Sequence, residues 1–239
     1  MARMPASKDE IMANLAAVRT RVEHACDRAG RDPAAVTLVA AAKTQAPEPV
    51  RWVVDAGVAA IGHNYVRELR AMHGVVAGAW WHYIGALQTN TAHHVAGLAD
   101  VVETLAGDRA TKRLARRAAE AGRVLDAMIE VDFTGERAGV APDEVGAFAT
   151  RVADLEGLRL RGLMTIPPAG ATADDARPWF RRLRQLRDEV RDQRSDVVDL
   201  SMGMSLDYGV AVEEGATMVR IGTALFGPRA PAGAPHPTP

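Results

Sequence analysis

Val36-Thr37-Leu38-Val39-Ala40-Ala41-Ala42-Lys43, with Pro47-Glu48-Pro49 beginning four residues later, is the stretch that decides the fold. An almost unbroken apolar run of this length, without polar alternation, reads as a strand covered on both faces, the habit of parallel sheets. Proline is at home in the first turn of a helix, so a helix starts almost at once. Lys43 is therefore held where a buried strand opens into a loop. Schiff-base lysines sit in such places, although a surface lysine closing a strand explains this one residue equally simply.

Working outward, the same alternation recurs. Apolar runs at Ala59 to Gly62, Trp81 to Ile84, Val101 to Leu105, Leu125 to Val131, Leu158 to Met164, Val197 to Ser201 and Met218 to Ile221 bring the strands to eight with Val36 to Ala42. Helical patterns lie between them at Glu48 to Ala56, Tyr65 to His73, Arg109 to Ala121, Pro142 to Asp154, Ala173 to Asp192 and Tyr208 to Glu214. Strand-helix alternation demands parallel pairing with right-handed crossovers, and eight units close into a (β/α)₈ barrel of the TIM type. An open doubly wound sheet is the alternative, because the strand at Trp81 and a helix after Thr91 are weakly signalled. Ser7 and Glu10 form a capping box before Ile11, Leu15, Val18 and Val22, which adds an extra N-terminal helix running to Gly30.

A barrel places its ligand site at the carboxyl ends of its strands. That gathers Lys43, His63 and Asn64, His82 and Gly85, Met164, Ser201 and the segment Arg220 to Thr223 at one mouth. Ser201-Met202-Gly203-Met204-Ser205 and Met218 to Gly227 supply small residues, backbone N–H groups, hydroxyls and an arginine, the parts of a phosphate cradle. A lysine attacks an aldehyde only as the neutral amine, which burial or a neighbouring cation favours. The apolar strand end is expected to give the burial, and His63 or Arg220 the charge.

The chain has 239 residues, 48% hydrophobic and only 5% aromatic, which suits one large aliphatic core. Residues 1–229 are assigned to the barrel and 230–239 to a flexible Pro/Ala-rich tail. Lys and Arg number 29 against 30 Asp and Glu, so charge gives no reason to expect nucleic acid or an anionic membrane as partner. The arginines between Arg177 and Arg194 read as a solvated helix face. Cys26 is the only cysteine and lies on an apolar helix face, which suits core packing and a reducing compartment. No signal segment or membrane-length run is legible, and a soluble cytoplasmic protein is expected. His93-His94 has no partner cluster at metal spacing, and no metal is expected. Glu103 and Asp132, near strand ends, are open to meeting each other or to binding loop N–H groups. Met202, Met204 and Met218 read as packing residues.

Six segments then carry a family resemblance: VAAAKT around Lys43, IGHNYVRE from Ile61, WHYIGALQTN from Trp81, RGLMTI from Arg161, LSMGMSLDY from Leu200 and VRIGTALFG from Val219. In order and across nearly the whole chain, they resemble the pyridoxal 5′-phosphate (PLP) homeostasis protein family, a barrel similar to the N-terminal domain of alanine racemase. The resemblance implies PLP as cofactor, held as an internal aldimine on Lys43. It also implies that Ser205, Gly222 and Thr223 hold the phosphate, that Asn64 and Met164 border the cofactor, that Ser201 shapes the same loop and that Arg220 faces the pyridine nitrogen. A cation there disfavours ring protonation and weakens the electron sink, which favours a binder over a strong catalyst.

Three departures stand out. His63 replaces the family's usual Glu, Gly85-Ala86-Leu87-Gln88 and Asn90-Thr91 replace GPLQ and NK, and Asp132-Phe133-Thr134 with Arg137 replaces an Asn-x-Ser and a later Lys. The implied function is PLP storage or delivery, with apo-enzymes as recipients and a monomer favoured over a dimer. Two enzyme readings compete. A PLP-dependent amino-acid racemase needs an acid/base group on each face of its substrate, for which Tyr65, Tyr83 and Tyr208 are the available tyrosines. A Schiff-base aldolase for phosphorylated sugars would use the same lysine and phosphate site without cofactor.

Overall fold

In the computed structural model, which describes residues 6–170 and 172–228, every apolar run becomes a strand. They are β1 (Thr37–Ala41), β2 (Ala60–His63), β3 (Trp80–Tyr83), β4 (Val101–Leu105), β5 (Leu125–Val131), β6 (Leu158–Thr165), β7 (Asp199–Ser201) and β8 (Met218–Ile221). All pair in parallel with their chain neighbours, and β8 returns to β1 through Thr37↔Met218, Leu38↔Val219, Val39↔Arg220 and Ala40↔Ile221. Closure excludes the open doubly wound sheet, which would leave two unpaired edges.

Helices α1 (Lys8–Ala29), α2 (Pro47–Asp55), α3 (Val66–His73), α4 (Ala92–Leu98), α5 (Asp108–Glu120), α6 (Val145–Ala153), α7 (Arg177–Arg191), α8 (Tyr208–Glu213) and α9 (Thr223–Phe226) complete the architecture. The weakly signalled helix after Thr91 is present as α4. Two expected helices open as single 3₁₀ turns, Pro142–Glu144 before α6 and Asp174–Ala176 before α7. Three strands start later than the apolar pattern suggests, β2 by the single residue Ala59, and β1 and β7 because turns take their first residues. The Val36 N–H turns back to the Pro33 carbonyl and the Val197 N–H to that of Arg194, so both residues belong to turns. Residues 230–239, read as a flexible tail, lie outside the described residues.

The capping box forms as expected: Ser7 N–H donates to Glu10 Oε2 at 2.7 Å, and Glu10 N–H to Ser7 Oγ at 3.3 Å. Ile11, Leu15, Val18, Val22, Ala25 and Cys26 are the buried face of α1. This helix packs along α8 and α9, the elements that follow β7 and β8. Asn14 Nδ2 donates to the Leu225 carbonyl at 3.0 Å, Arg21 donates to the Leu206 carbonyl at 3.1 Å and lies over the Tyr208 ring, and Arg28 pairs with Glu213 at 2.7 Å. The added helix thus braces the two loops from which a phosphate cradle was expected.

The arginines of α7 are less solvated than their spacing suggests. Arg177, Arg181 and Arg184 all pair with Glu214, which is only 5% exposed, and Arg177 also reaches Glu213. They pin α7 to the end of α8.

The main core lies between barrel and helices, while a smaller set of side chains fills the barrel itself. Gly62 shows how tight the interior is. A Cβ there would stand 2.9 Å from Ile84 Cδ1 and 3.2 Å from Val39 Cγ1, so those two side chains fill the space that a larger residue would take.

Candidate functional site

β1 stops at Ala41, and Lys43 sits two residues further on, in a turn rather than at the strand's last position. The Ala42 N–H still reaches across to the Gly62 carbonyl, and the Gln45 N–H closes back on the Ala42 carbonyl at 3.1 Å. Within that turn Thr44 adopts φ 64°, the only left-handed non-glycine among the described residues. For a β-branched residue this costs roughly 1–3 kcal/mol and persists only where the surroundings enforce it. Lys43 is half-buried, and its Nζ lies 5.0 Å from the centre of the Tyr65 ring. That distance is within cation–π range.

His63, at the end of β2, does not supply the cation that was expected beside Lys43. It is fully buried, and burial alone pulls its pKa down to about 4, so the ring is neutral at physiological pH. Neither ring nitrogen has a hydrogen-bond partner, and Glu68 Oε2, 3.7 Å from Nδ1, has none either. The next residue, Asn64, is half-buried with Nδ2 3.4 Å from the Ile84 carbonyl. Gly85 makes this approach possible. A Cβ at that position would fall 1.9 Å from the Asn64 carbonyl oxygen.

Across β1, the cradle residues converge. Ser205 Oγ accepts from the Ala224 N–H at 3.0 Å, joining the loop after β7 to the first turn of α9. This short helix was not read from the sequence, and its first N–H groups have no acceptor within the helix. Gly222 precedes it with φ −109°, outside the left-handed region, and a Cβ would meet nothing closer than the Ala41 carbonyl oxygen at 3.4 Å. Neither backbone conformation nor packing therefore demands glycine. Its effect is to keep a space open beside Ala41 at the start of α9.

Deeper in the barrel lies a chain of buried polar side chains. Arg220, 4% exposed, donates through Nη1 to Ser201 Oγ at 2.6 Å and through Nη2 to the Thr165 carbonyl at 2.8 Å. Ser201 Oγ donates to Glu103 Oε2 at 2.5 Å, and Glu103 Oε1 lies 2.7 Å from His82 Nδ1. Burial draws the Arg220 guanidinium below its ordinary value, with Glu103, Glu130 and Asp207 pulling the other way. Burial also works against a charged Glu103, but the hydrogen bond and charge of His82, the charge of Arg220 and the Ser201 hydroxyl outweigh it and hold the carboxyl below its usual range. Met164 is fully buried beside this chain, in register with Glu130 on one side and Ser201 on the other.

The eight residues to which the resemblance gave a cofactor role thus lie at or just beyond the carboxyl ends of β1, β2, β6, β7 and β8, whereas His82, expected at the same mouth, points into the barrel toward Glu103 and lines a cleft at the other end. Several others are placed elsewhere. Glu103 and Asp132 do not meet: Asp132 accepts from the N–H groups of Thr134 and Arg137 at 2.9 and 2.7 Å, within its own loop. Tyr83 and Tyr208 are buried, and Tyr208 lies under Arg21. His94 is bonded to Arg70, and no cluster of metal-ligating side chains occurs among the described residues. No described helix is long and apolar enough to cross a membrane. Sequence reasoning missed the link between Glu103, Ser201 and Arg220. The available signal was an acid in the middle of the apolar strand Val101-Val102-Glu103-Thr104-Leu105, which demands a buried partner.

Residues 8–230 match the family model described as alanine racemase, N-terminal domain. The pyridoxal phosphate homeostasis protein of Aquifex aeolicus is 39% identical over 220 residues, covering 90% of this chain and 96% of that one. The protein of the same name from Pseudomonas aeruginosa is 38% identical over 223 residues, with 92% and 96% covered. Among solved structures, PipY of Synechococcus elongatus PCC7942 with PLP bound superposes with a TM-score of 0.80 at 32% identity, covering 91% of this chain and all of that one.

The neutral His63 makes stability depend on pH. Its folded pKa of about 4 lies below the ordinary 6.5, so the unfolded chain takes up the proton first. The contribution of His63 to stability is therefore complete above pH 6.5 and is lost as pH drops toward 4. His63→Phe keeps a ring against Trp81 and removes the titration. Urea unfolding at pH 7.5 and 4.5 should show the wild type losing roughly 2–3 kcal/mol more than the variant between the two pH values. Equal losses would mean that another group takes up the proton.

Proposed function

Because the chain belongs to the pyridoxal phosphate homeostasis proteins, built on the alanine racemase N-terminal domain, we propose that it binds PLP in order to hold it, limit its free aldehyde and deliver it to apo-enzymes. PLP is its cofactor, and its role is in PLP homeostasis. The observation that carries the site assignment is the convergence, at one end of one barrel, of an amine on a strained turn, an open-faced glycine flanked by hydroxyls, and a buried guanidinium.

PLP brings an aldehyde that condenses with an amine, a phosphate anion and a pyridine nitrogen. The donor set matches each part. Lys43 provides the amine, and the turn through Thr44 fixes where it leaves the backbone. Ser205 accepts from Ala224 N–H and so keeps its own hydrogen for an anion. Thr223 adds a second hydroxyl and, with Gly222, the first amides of α9, while the missing side chain at Gly222 leaves room for phosphate oxygens. Asn64 and Met164 would border the ring, and Ser201 sets Arg220. Arg220 would face the pyridine nitrogen, where its fixed charge would oppose protonation, so the residues favour holding the cofactor over carbanion chemistry. We also read the protein as a cytoplasmic monomer, its single, buried and unpaired cysteine suiting a reducing compartment.

Borohydride reduction of the PLP-loaded protein followed by peptide mapping should place the pyridoxyl mass on Lys43. Modification solely of another lysine would refute that role. The loaded protein should also transfer PLP to an apo-enzyme and leave the α-protons of L-amino acids unexchanged in deuterated water, whereas rapid Lys43-dependent exchange with inversion would indicate a racemase.

Ser205→Ala and Thr223→Ala should each weaken PLP binding by about 1.5–3 kcal/mol, the range for a hydrogen bond to a charged group. Titration with pyridoxal, which lacks the phosphate, should show little change. Equal losses for both ligands would remove these residues from the phosphate site.

A further inference from the structure

A cleft of about 850 Å³ lies at the opposite end of the barrel from Lys43. It is lined by residues that begin the strands, among them Thr37, Ala60, Trp80, Val101 and Asp126, and also by His82. His82 is 3% exposed, and its Nδ1 is committed to Glu103. The chain His82, Glu103, Ser201, Arg220 therefore runs from the floor of this cleft through the barrel to the cofactor mouth, with one member from each of β3, β4, β7 and β8.

Such a chain is costly. Each buried ion forfeits hydration worth several kcal/mol, and well-packed apolar residues often serve stability as well or better. Much of the interior is built that way, from Val39, Ile84, Met128 and Met164. The polar links, moreover, are ordered in one sense only. A guanidinium can only donate and an ionised carboxylate can only accept. Ser201, placed between them, must accept from Arg220 and donate to Glu103. Glu103 in turn requires the hydrogen of His82 to be on Nδ1. Arg220's second anchor is also fixed, since Thr165, whose carbonyl receives Nη2, donates its hydroxyl to the Val131 carbonyl at 2.8 Å.

We propose that Glu103 and His82 are positioning residues for the cofactor's ring: Glu103 orients the Ser201 hydroxyl and, with its carboxylate oxygen 3.9 Å from Arg220 Nη1, fixes the guanidinium, and His82 holds Glu103 in place from the amino-end cleft. The proposal rests on the reading that Arg220 faces the pyridine nitrogen. It means that two side chains remote from Lys43 and from the phosphate cradle control the electronic surroundings of the bound ring. The charged groups that face Arg220 besides Glu103 are Glu130 on β5, Asp207 after β7 and Arg137 in the loop after β5.

The test is the absorption and fluorescence spectrum of bound PLP in Glu103→Gln, His82→Phe, His82→Asn, Arg220→Gln and the double variant Glu103→Gln/Arg220→Gln, with thermal melting recorded in parallel. Arg220→Gln and Glu103→Gln should shift the spectrum in the same direction, and the double variant should match Arg220→Gln alone, because Glu103 acts through Arg220. His82→Phe, which removes the donor to Glu103, should shift the spectrum in that direction to a smaller extent. His82→Asn, which restores a donor near the Nδ1 position, should stay close to wild type. Lowered melting temperatures with an unshifted spectrum in Glu103→Gln and His82→Phe, or additive shifts in the double variant, would overturn the proposal and reduce the chain to a structural ion pair. An unshifted spectrum in Arg220→Gln would instead overturn the ring contact on which the proposal rests. Should Glu103→Gln fail to fold, the contrast between His82→Phe and His82→Asn decides, and identical spectra for the two would count against the proposal.

Discussion

The pairing of β8 with β1 is the constraint on which everything else depends. It joins residues about 180 positions apart and sets Ala40 opposite Ile221, so that the chain leaving β1 toward Lys43 runs alongside the chain leaving β8 through Gly222 and Thr223. Paired strands lie under 5 Å apart. Lys43 and the proposed phosphate cradle are thereby held on adjacent strand ends. Helix α1 reinforces the arrangement from outside by bonding to the Leu206 and Leu225 carbonyls in the loops that follow β7 and β8.

Inside the barrel, packing and charge are divided between the strands. Gly62 gives its volume to Val39 and Ile84, while β4, β7 and β8 contribute the ionic and hydroxyl groups that cross the interior. Arg220 sits where the two regimes meet, buried among apolar residues yet satisfied by Ser201 and by the Thr165 carbonyl. A side chain held so firmly loses little freedom when a ligand arrives, which is the physical advantage of paying for a buried ion pair in advance. Lys43, by contrast, is only half-buried, on a strained turn under a half-exposed tyrosine, which suits the covalent capture and release of an aldehyde proposed for it.

The eight strands, the capping box and the barrel class were legible because each is written in local pattern: apolar runs of strand length, a Ser and a Glu three apart, prolines at a helix start. The candidate residues were legible for a related reason, since a barrel collects its strand ends at one mouth whatever their separation in sequence. What the pattern did not carry was backbone geometry and long-range polar pairing. Nothing in Lys43-Thr44-Gln45 announces a left-handed threonine. Val36 and Val197 look like strand residues, and only their hydrogen bonds to Pro33 and Arg194 assign them to turns. His63 reads as a potential cation by residue type, but its complete burial without a hydrogen-bond partner makes it neutral. Glu103 was visible as an acid in an apolar strand, yet its partners lie on β3 and β7 and depend on barrel closure.

The central claim is that Arg220, buried and anchored by Ser201 and the Thr165 carbonyl, faces the cofactor's ring nitrogen and keeps it unprotonated. The nitrogen-15 chemical shift of PLP labelled at the pyridine nitrogen and bound to the protein measures this directly. A neutral, hydrogen-bonded pyridine signal that stays constant through neutral pH is the predicted result, because the guanidinium remains charged throughout that range. A pyridinium signal at neutral pH would contradict the account.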